Sequence, residues 1–118
     1  NFRLIFTPKS GLRFAAEIKG SQVEKKMSHL SCFCVGMFAL EAKYEMDQSR
    51  KRKVMELAED LGHTCHESYA RTSTGLGPEM LYFNSHDDAT NKHDNGYAQR
   101  PEVIEGLFYL WRTGKQAR

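Results

Sequence analysis

Glu102 and Glu105 stand three residues apart in a stretch that opens with Arg100-Pro101 and runs on into Val103-Ile104 and Leu107-Phe108. At that spacing two carboxylates share one side of a helix with Gly106 and Tyr109, away from an apolar face of Ile104, Leu107, Phe108 and Trp111. Gly106 beside them would leave room for a ligand. The first turns of a helix favour negative charge, so a carboxylate aimed from there into a cavity is equipped to take a proton from water. Acids are common near helix starts for the same electrostatic reason, and spacing alone favours that ordinary reading. Glu79 follows Gly77-Pro78 on a loop, where it either joins the same cluster or is simply solvated. His29 lies in a mostly apolar stretch, a setting in which a histidine is more often hydrogen-bonded within a core than catalytic.

The cysteines pose a different question. Cys32-x-Cys34 and His63-Thr64-Cys65-His66 suggest zinc, but on helices Cys32 and Cys34 project to nearly opposite sides, and His63 and His66 do not share the side of Cys65. A disulfide fits better, because Cys65 lies on the core-facing stripe of one helix and Cys32 on the small-residue face of its neighbour. In the chain-entropy model that link contributes about 3.5 to 4 kcal/mol. Asp87, Asp88 and Asp94 miss the spacing of a calcium loop. The Arg50-Lys51-Arg52-Lys53 run reads as a solvated face.

The elements that must position these groups follow from periodicity. Leu12 to Ile18, between Gly11 and Gly20, predicts a short extended segment. A helix is expected over 24–46, with Leu30, Phe33, Cys34, Met37, Leu40 and Tyr44 along one face and Ser28, Cys32, Gly36 and Ala39 along another. A helix so apolar all round is buried between neighbours, and its small residues permit close approach. A second, amphipathic helix over 50–71 carries Val54, Leu57, Ala58, Leu61, Cys65 and Tyr69 on one stripe. Gly75 and Gly77-Pro78 end it, Met80 to Phe83 predicts a strand, and 84–99 is a polar loop with a turn at Asn95-Gly96. A third helix starts at Pro101, where a missing N–H costs nothing.

Across 118 residues the balance of 17 basic and 15 acidic side chains gives a net charge of +2, too little to build a field for nucleic acid or anionic lipid. Neither repeats nor low-complexity tracts interrupt the chain, which reads as one structural unit. The longest apolar stretch, Leu30 to Leu40, is well short of a membrane span. A first residue Asn1 and a helical run reaching Arg118 lead to the expectation of an internal piece of a longer protein.

Taken in order, Ala16-Glu17-Ile18-Lys19-Gly20, Lys26-Met27-Ser28-His29-Leu30, Gly36-Met37-Phe38-Ala39-Leu40, Thr64-Cys65-His66-Glu67-Ser68-Tyr69, Gly77-Pro78-Glu79 and Arg100-Pro101-Glu102-Val103-Ile104-Glu105 resemble consecutive blocks of the class I α-1,2-mannosidases of glycoside hydrolase family 47. The wording of the third and fourth blocks is most similar to the Golgi branch. The resemblance covers nearly the whole chain. It implies a mainly α fold with short β segments, part of an (α/α)7 barrel, with residues 1–118 forming part of the catalytic domain. It further implies a calcium ion at the barrel floor and hydrolysis of α-1,2-linked mannose from high-mannose N-glycans with inversion. Glu102 matches the general base. His29, Glu79, Arg100 and Glu105 match residues lining the sugar and metal pocket, with no direct metal ligand among them, and Cys32 and Cys65 match the family's disulfide. The general acid, a third carboxylate and a calcium-binding threonine are then expected outside these residues, as is any membrane anchor, in a Golgi or endoplasmic reticulum protein. Ser28 and Gly106 depart from the family pattern, which has Gly and a small hydroxyl residue there. A lectin-like relative that binds the mannose glycan without hydrolysing it, and a self-contained helical interaction protein, are the competing readings.

Overall fold

The computed structural model describes residues 4–84 and 96–114. It is mainly helical, with three small antiparallel β pairs gathered at one side of three helices. Strand β1 (Ile5–Phe6) pairs with β2 (Phe14–Ala15), and β3 (Glu17–Lys19) folds back on β4 (Gln22–Glu24). The two-residue loop between β3 and β4 is Gly20-Ser21, and Gly20 takes a φ of 62°, which is the chemistry of a tight hairpin with glycine first. Lys26 Nζ sits 2.7 Å from Glu24 and 3.6 Å from Glu17, offsetting the repulsion of two carboxylates that face each other across the hairpin.

Strand β5 (Lys26–Ser28) pairs with β6 (Met80–Tyr82), a partner more than fifty residues away, in the register Lys26↔Tyr82, Met27↔Leu81, Ser28↔Met80. The expected helix over 24–46 therefore begins late. Residues 22–28 are extended, His29–Cys32 form a single 3-10 turn, and α1 runs only over Phe33–Tyr44. Ser28 accepts a hydrogen bond from the Ser31 N–H at 3.3 Å, so its side chain caps the turn and marks the change of structure. Helix α2 spans Gln48–Ala70, close to the expected 50–71, with Asp47 accepting from the Arg50 N–H at 2.7 Å at its start. Arg50 also reaches Glu41 and Glu45 at the end of α1, so the basic run includes a clamp between two helices as well as a solvated face. Helix α3 covers Glu102–Gly114, one residue past the expected start at Pro101. The expected turn at Asn95-Gly96, and Asp87, Asp88 and Asp94, lie wholly or partly outside the described residues.

The core joins both parts of the molecule. Leu12, Phe14, Ala16, Met27, Leu81 and Phe83 from the β segments pack with Val35 of α1, Leu57, Leu61 and Cys65 of α2 and Val103 of α3. The Phe14 and Phe83 rings stack with centroids 3.8 Å apart, and the buried Thr64 hydroxyl donates to the Arg13 carbonyl at 2.6 Å, fastening α2 to the strands.

The expected apolar face of α3 is reversed, and α1, expected to be buried all round, is buried chiefly along its small-residue side. In α1 the buried residues are Val35, Gly36, Ala39 and Ala42, while Phe33, Met37 and Tyr44 are exposed. In α3 the exposed residues include Ile104, Phe108 and Trp111, and the side with Gly106 turns inward. The cause is backbone proximity. A Cβ on Gly106 would meet the Cys32 carbonyl oxygen and the Val35 Cβ at 3.1 Å, and one on Gly36 would meet the Gly106 Cα at 3.3 Å and the Tyr109 ring at 3.1 Å. Gly106 is thus packed closely against helix α1, while it also lines the open groove between α1 and α3. The small-residue face expected of the first helix does make the close crossing.

Candidate active site

The pairing of β5 with β6 continues for one more rung, where the His29 N–H donates to the Glu79 carbonyl at 2.9 Å. Two residues fifty positions apart are thereby fixed side by side. Arg100 grips the Glu79 carboxylate with two groups, Nε to Oε1 at 3.1 Å and Nη2 to Oε2 at 2.9 Å, a fork geometry that sets direction as well as charge. Gln99, immediately before it, is the one non-glycine residue with positive φ among the described residues, at 49°. A left-handed backbone of this kind is costly for a residue with a Cβ, and here it delivers Arg100 to Glu79 just before Pro101 starts α3.

Glu102 is the first residue of α3 and is partly buried, with an inaccessible Oε2 atom that has no hydrogen-bond partner among the described residues. It acts electrostatically on both His29 and Arg100. His29 is buried, and burial pushes its pKa below the ordinary imidazole value. Glu79 and Glu102 oppose that shift and Arg100 adds to it. Its Nε2 lies 2.5 Å from the Tyr69 hydroxyl, in the last turn of α2, and its Nδ1 is buried with no partner among the described residues. Burial first, then Tyr97, Glu102 and Glu79, raise the Tyr69 pKa, so its hydroxyl keeps its proton.

His29, Glu79, Arg100 and Glu102 are therefore brought together, and Glu105 is not part of their hydrogen-bonded set. It is exposed and lines an open groove of about 290 Å³ between α1 and α3 with Phe33, Met37, Leu40 and Tyr109. Cys32 and Cys65 are joined in a disulfide with a Cα–Cα separation of 6.0 Å. Cys34 is free, and burial pushes its thiol up to about 11. With two of the three cysteines bonded and His63 and His66 exposed, the zinc reading fails.

Tyr69 and Tyr97 were not anticipated as site residues. Tyr69 reads as the last apolar position of an amphipathic stripe. Its signal was chemical, since a tyrosine on a core-facing stripe needs a partner for its hydroxyl, and His29 is that partner.

No group of three or more His, Cys, Asp or Glu side chains among the described residues is arranged to hold a metal ion. A single unpartnered carboxylate oxygen at Glu102 is far short of the roughly six to eight oxygens that calcium takes. These residues alone do not fit a calcium site. Chemically, the cluster offers one unpartnered carboxylate at a helix start, flanked by a neutral imidazole and a charge-paired guanidinium.

The family model for glycosyl hydrolase family 47 matches residues 3–118. The mannosyl-oligosaccharide 1,2-alpha-mannosidase mans-2 of Caenorhabditis elegans is 57% identical over 109 residues, which are 91% of this chain and 18% of that protein. The mannosyl-oligosaccharide 1,2-alpha-mannosidase IB of Homo sapiens is 46% identical over 114 residues, 92% of this chain and 17% of the relative. The solved alpha-1,2-mannosidase from Trichoderma reesei superposes with a TM-score of 0.67 at 22% identity over 92% of this chain and 26% of its own, a likeness of fold. The chain thus spans less than a fifth of the length of these two curated relatives.

Proposed function

The chain belongs to glycosyl hydrolase family 47, and on that premise we propose that it is the part of an inverting α-1,2-mannosidase's catalytic domain that carries the general base, Glu102. The observation that carries this reading is the Glu102 carboxylate. Its Oε2 is buried and has no partner among the described residues, beside His29 and the Arg100–Glu79 pair. Buried polar atoms are almost always satisfied within a protein, and a catalytic role is one of the recognised reasons for an exception.

In inverting glycosidases one carboxylic acid protonates the leaving oxygen while a carboxylate on the opposite face activates water, the pair standing about 6.5 to 9.5 Å apart. Glu102 takes the proton from that water as the oxygen attacks the anomeric carbon. The acid is contributed by residues outside this chain. The Arg100–Glu79 fork holds the loop that leads into α3, and His29 presents a neutral, oriented ring beside the base. Glu105, one turn further along, faces the groove between α1 and α3 and serves a supporting role toward the sugar.

The same reading assigns the three helices to an (α/α)7 barrel, supported by the match to the fungal enzyme's fold. Calcium belongs to the whole protein in this proposal, where it would help to bind and orient sugar hydroxyls, and no step above is routed through it. The substrate is a high-mannose N-glycan, as the relatives' names suggest for their own activity. Lumenal placement in the Golgi or endoplasmic reticulum is supported by the Cys32–Cys65 disulfide, since such bonds persist in oxidising compartments.

The test is the stereochemistry of the product. Proton NMR of a fresh digest of a high-mannose N-glycan by the whole protein should show β-mannose appearing first and mutarotating later. Initial α-mannose would contradict the inverting mechanism. Glycan binding with no mannose released would favour the lectin-like reading.

A further inference from the structure

Two links join the 3-10 turn at His29–Cys32 to helix α2, and they run side by side. One is the Cys32–Cys65 disulfide. The other, three residues earlier on the turn and four residues later on the helix, is the hydrogen bond between His29 Nε2 and the Tyr69 hydroxyl. The tyrosine ring itself is held in place. A Cβ on Gly77 would lie 2.5 to 2.8 Å from three of its carbons, so the ring lies against bare backbone at that position. The Tyr97 ring meets it edge-on at 6.5 Å, and the Thr72 hydroxyl fastens the Tyr69 carbonyl at 2.9 Å.

Among the described residues the Tyr69 hydroxyl has one hydrogen-bond partner, His29 Nε2. The hydroxyl can donate to that nitrogen or accept from it, according to the imidazole tautomer, and in either direction the bond occupies Nε2. We infer that Tyr69 is a positioning residue of the Glu102 site, fixing the orientation of the His29 ring and holding it in one tautomer through the hydrogen bond at Nε2. Burial agrees with this, because it keeps His29 neutral and Tyr69 protonated at neutral pH.

The consequence is electrostatic. The His29 ring is close enough to Glu102 and Glu79 for their charges to act on it, so the direction of its dipole is part of the field in which the proposed base works. A ring free to flip or to exchange tautomers would present that field only part of the time. The inference deepens the proposed function and rests on it for the catalytic effect, but the tautomer itself is independent of any activity.

The experiment uses the whole protein with ¹⁵N-labelled histidine, as wild type and as Tyr69→Phe, which removes the hydroxyl and keeps the ring against Gly77. Wild-type His29 should show two widely separated ring-nitrogen resonances, the mark of one fixed tautomer. In Tyr69→Phe they should move toward the averaged values of an exchanging ring. With an unchanged melting temperature, kcat/KM for mannose release should fall on the order of tenfold to a hundredfold, the scale of losing an orienting contact. Averaged ring-nitrogen shifts in the wild type, or identical nitrogen shifts in the variant, would overturn the inference. So would an unchanged kcat/KM in an active protein. Should the wild type release no mannose, the functional proposal falls, and the nitrogen resonances still decide the tautomer.

Discussion

His29 shows how one buried side chain ties folding to the site. Its pKa is lowered chiefly by burial, against the pull of Glu79 and Glu102 and with the help of Arg100, so the folded protein binds its proton less readily than the unfolded chain. Below about pH 6.5 the unfolded chain gains a proton that the folded one resists. The stability contributed by neutral His29 is thus complete above that value and is lost as the pH falls through the lower folded pKa. Urea unfolding of the whole protein between about pH 5 and 8 should show this fall, and His29→Gln should make it shallower. An identical or steeper fall in the variant would contradict the burial argument. At this scale the sequence was informative only through resemblance. Spacing alone left Glu79, Glu102 and Glu105 as ordinary acids, and Tyr69 as part of an apolar stripe. The rung that sets His29 against Glu79 depends on a strand pair between residues far apart in the chain, which no local pattern encodes.

At the scale of elements, the close crossing of α1 and α3 decides more than hydrophobic periodicity does. Gly36 and Gly106 meet there, and the side of α3 that carries Gly106 turns inward although its large apolar residues lie elsewhere. Gly106→Val would drive methyl groups toward the Cys32 backbone carbonyl and the buried Val35 side chain, which a bare Cβ already approaches to 3.1 Å. Overpacking of this kind costs about 1 to 3 kcal/mol, read as a lower unfolding midpoint. Among the described residues a Cβ on Gly96 meets nothing within 4 Å, so Gly96→Val should stay within about 0.5 kcal/mol of wild type. Equal effects at the two positions would remove the crossing as the explanation. Helices α2 and α3 were legible because an amphipathic stripe runs along the first and Gly75, Gly77-Pro78 and Pro101 punctuate the chain between them. The start of α1 was not, because residues 22–28 carry a pattern compatible with helix and are held extended by pairing, in part with β6. The disulfide was legible from helix faces and joins the first turn before α1 to the middle of the core.

The molecule as a whole keeps Phe33, Met37, Ile104, Phe108 and Trp111 about half exposed or more on α1 and α3, and it spans 18% of its Caenorhabditis elegans relative. Large apolar side chains outside and glycines inside go with the close backbone crossing of α1 and α3, which is the physical reason the expected face of α3 was reversed. The proposed chemistry is likewise shared with residues beyond the chain, since a base needs its opposed acid. The assignment of that base is the central claim, and it is tested by steady-state kinetics of mannose release from a high-mannose N-glycan by the whole protein, comparing wild type with Glu102→Gln and Glu105→Gln. Glutamine keeps the shape of the side chain and removes its basicity. Glu102→Gln should lower kcat by about 10² to 10⁴-fold with KM little changed, whereas Glu105→Gln should raise KM as well as slow turnover. Near-normal kcat in Glu102→Gln, with turnover abolished in Glu105→Gln, would place the base on the other carboxylate.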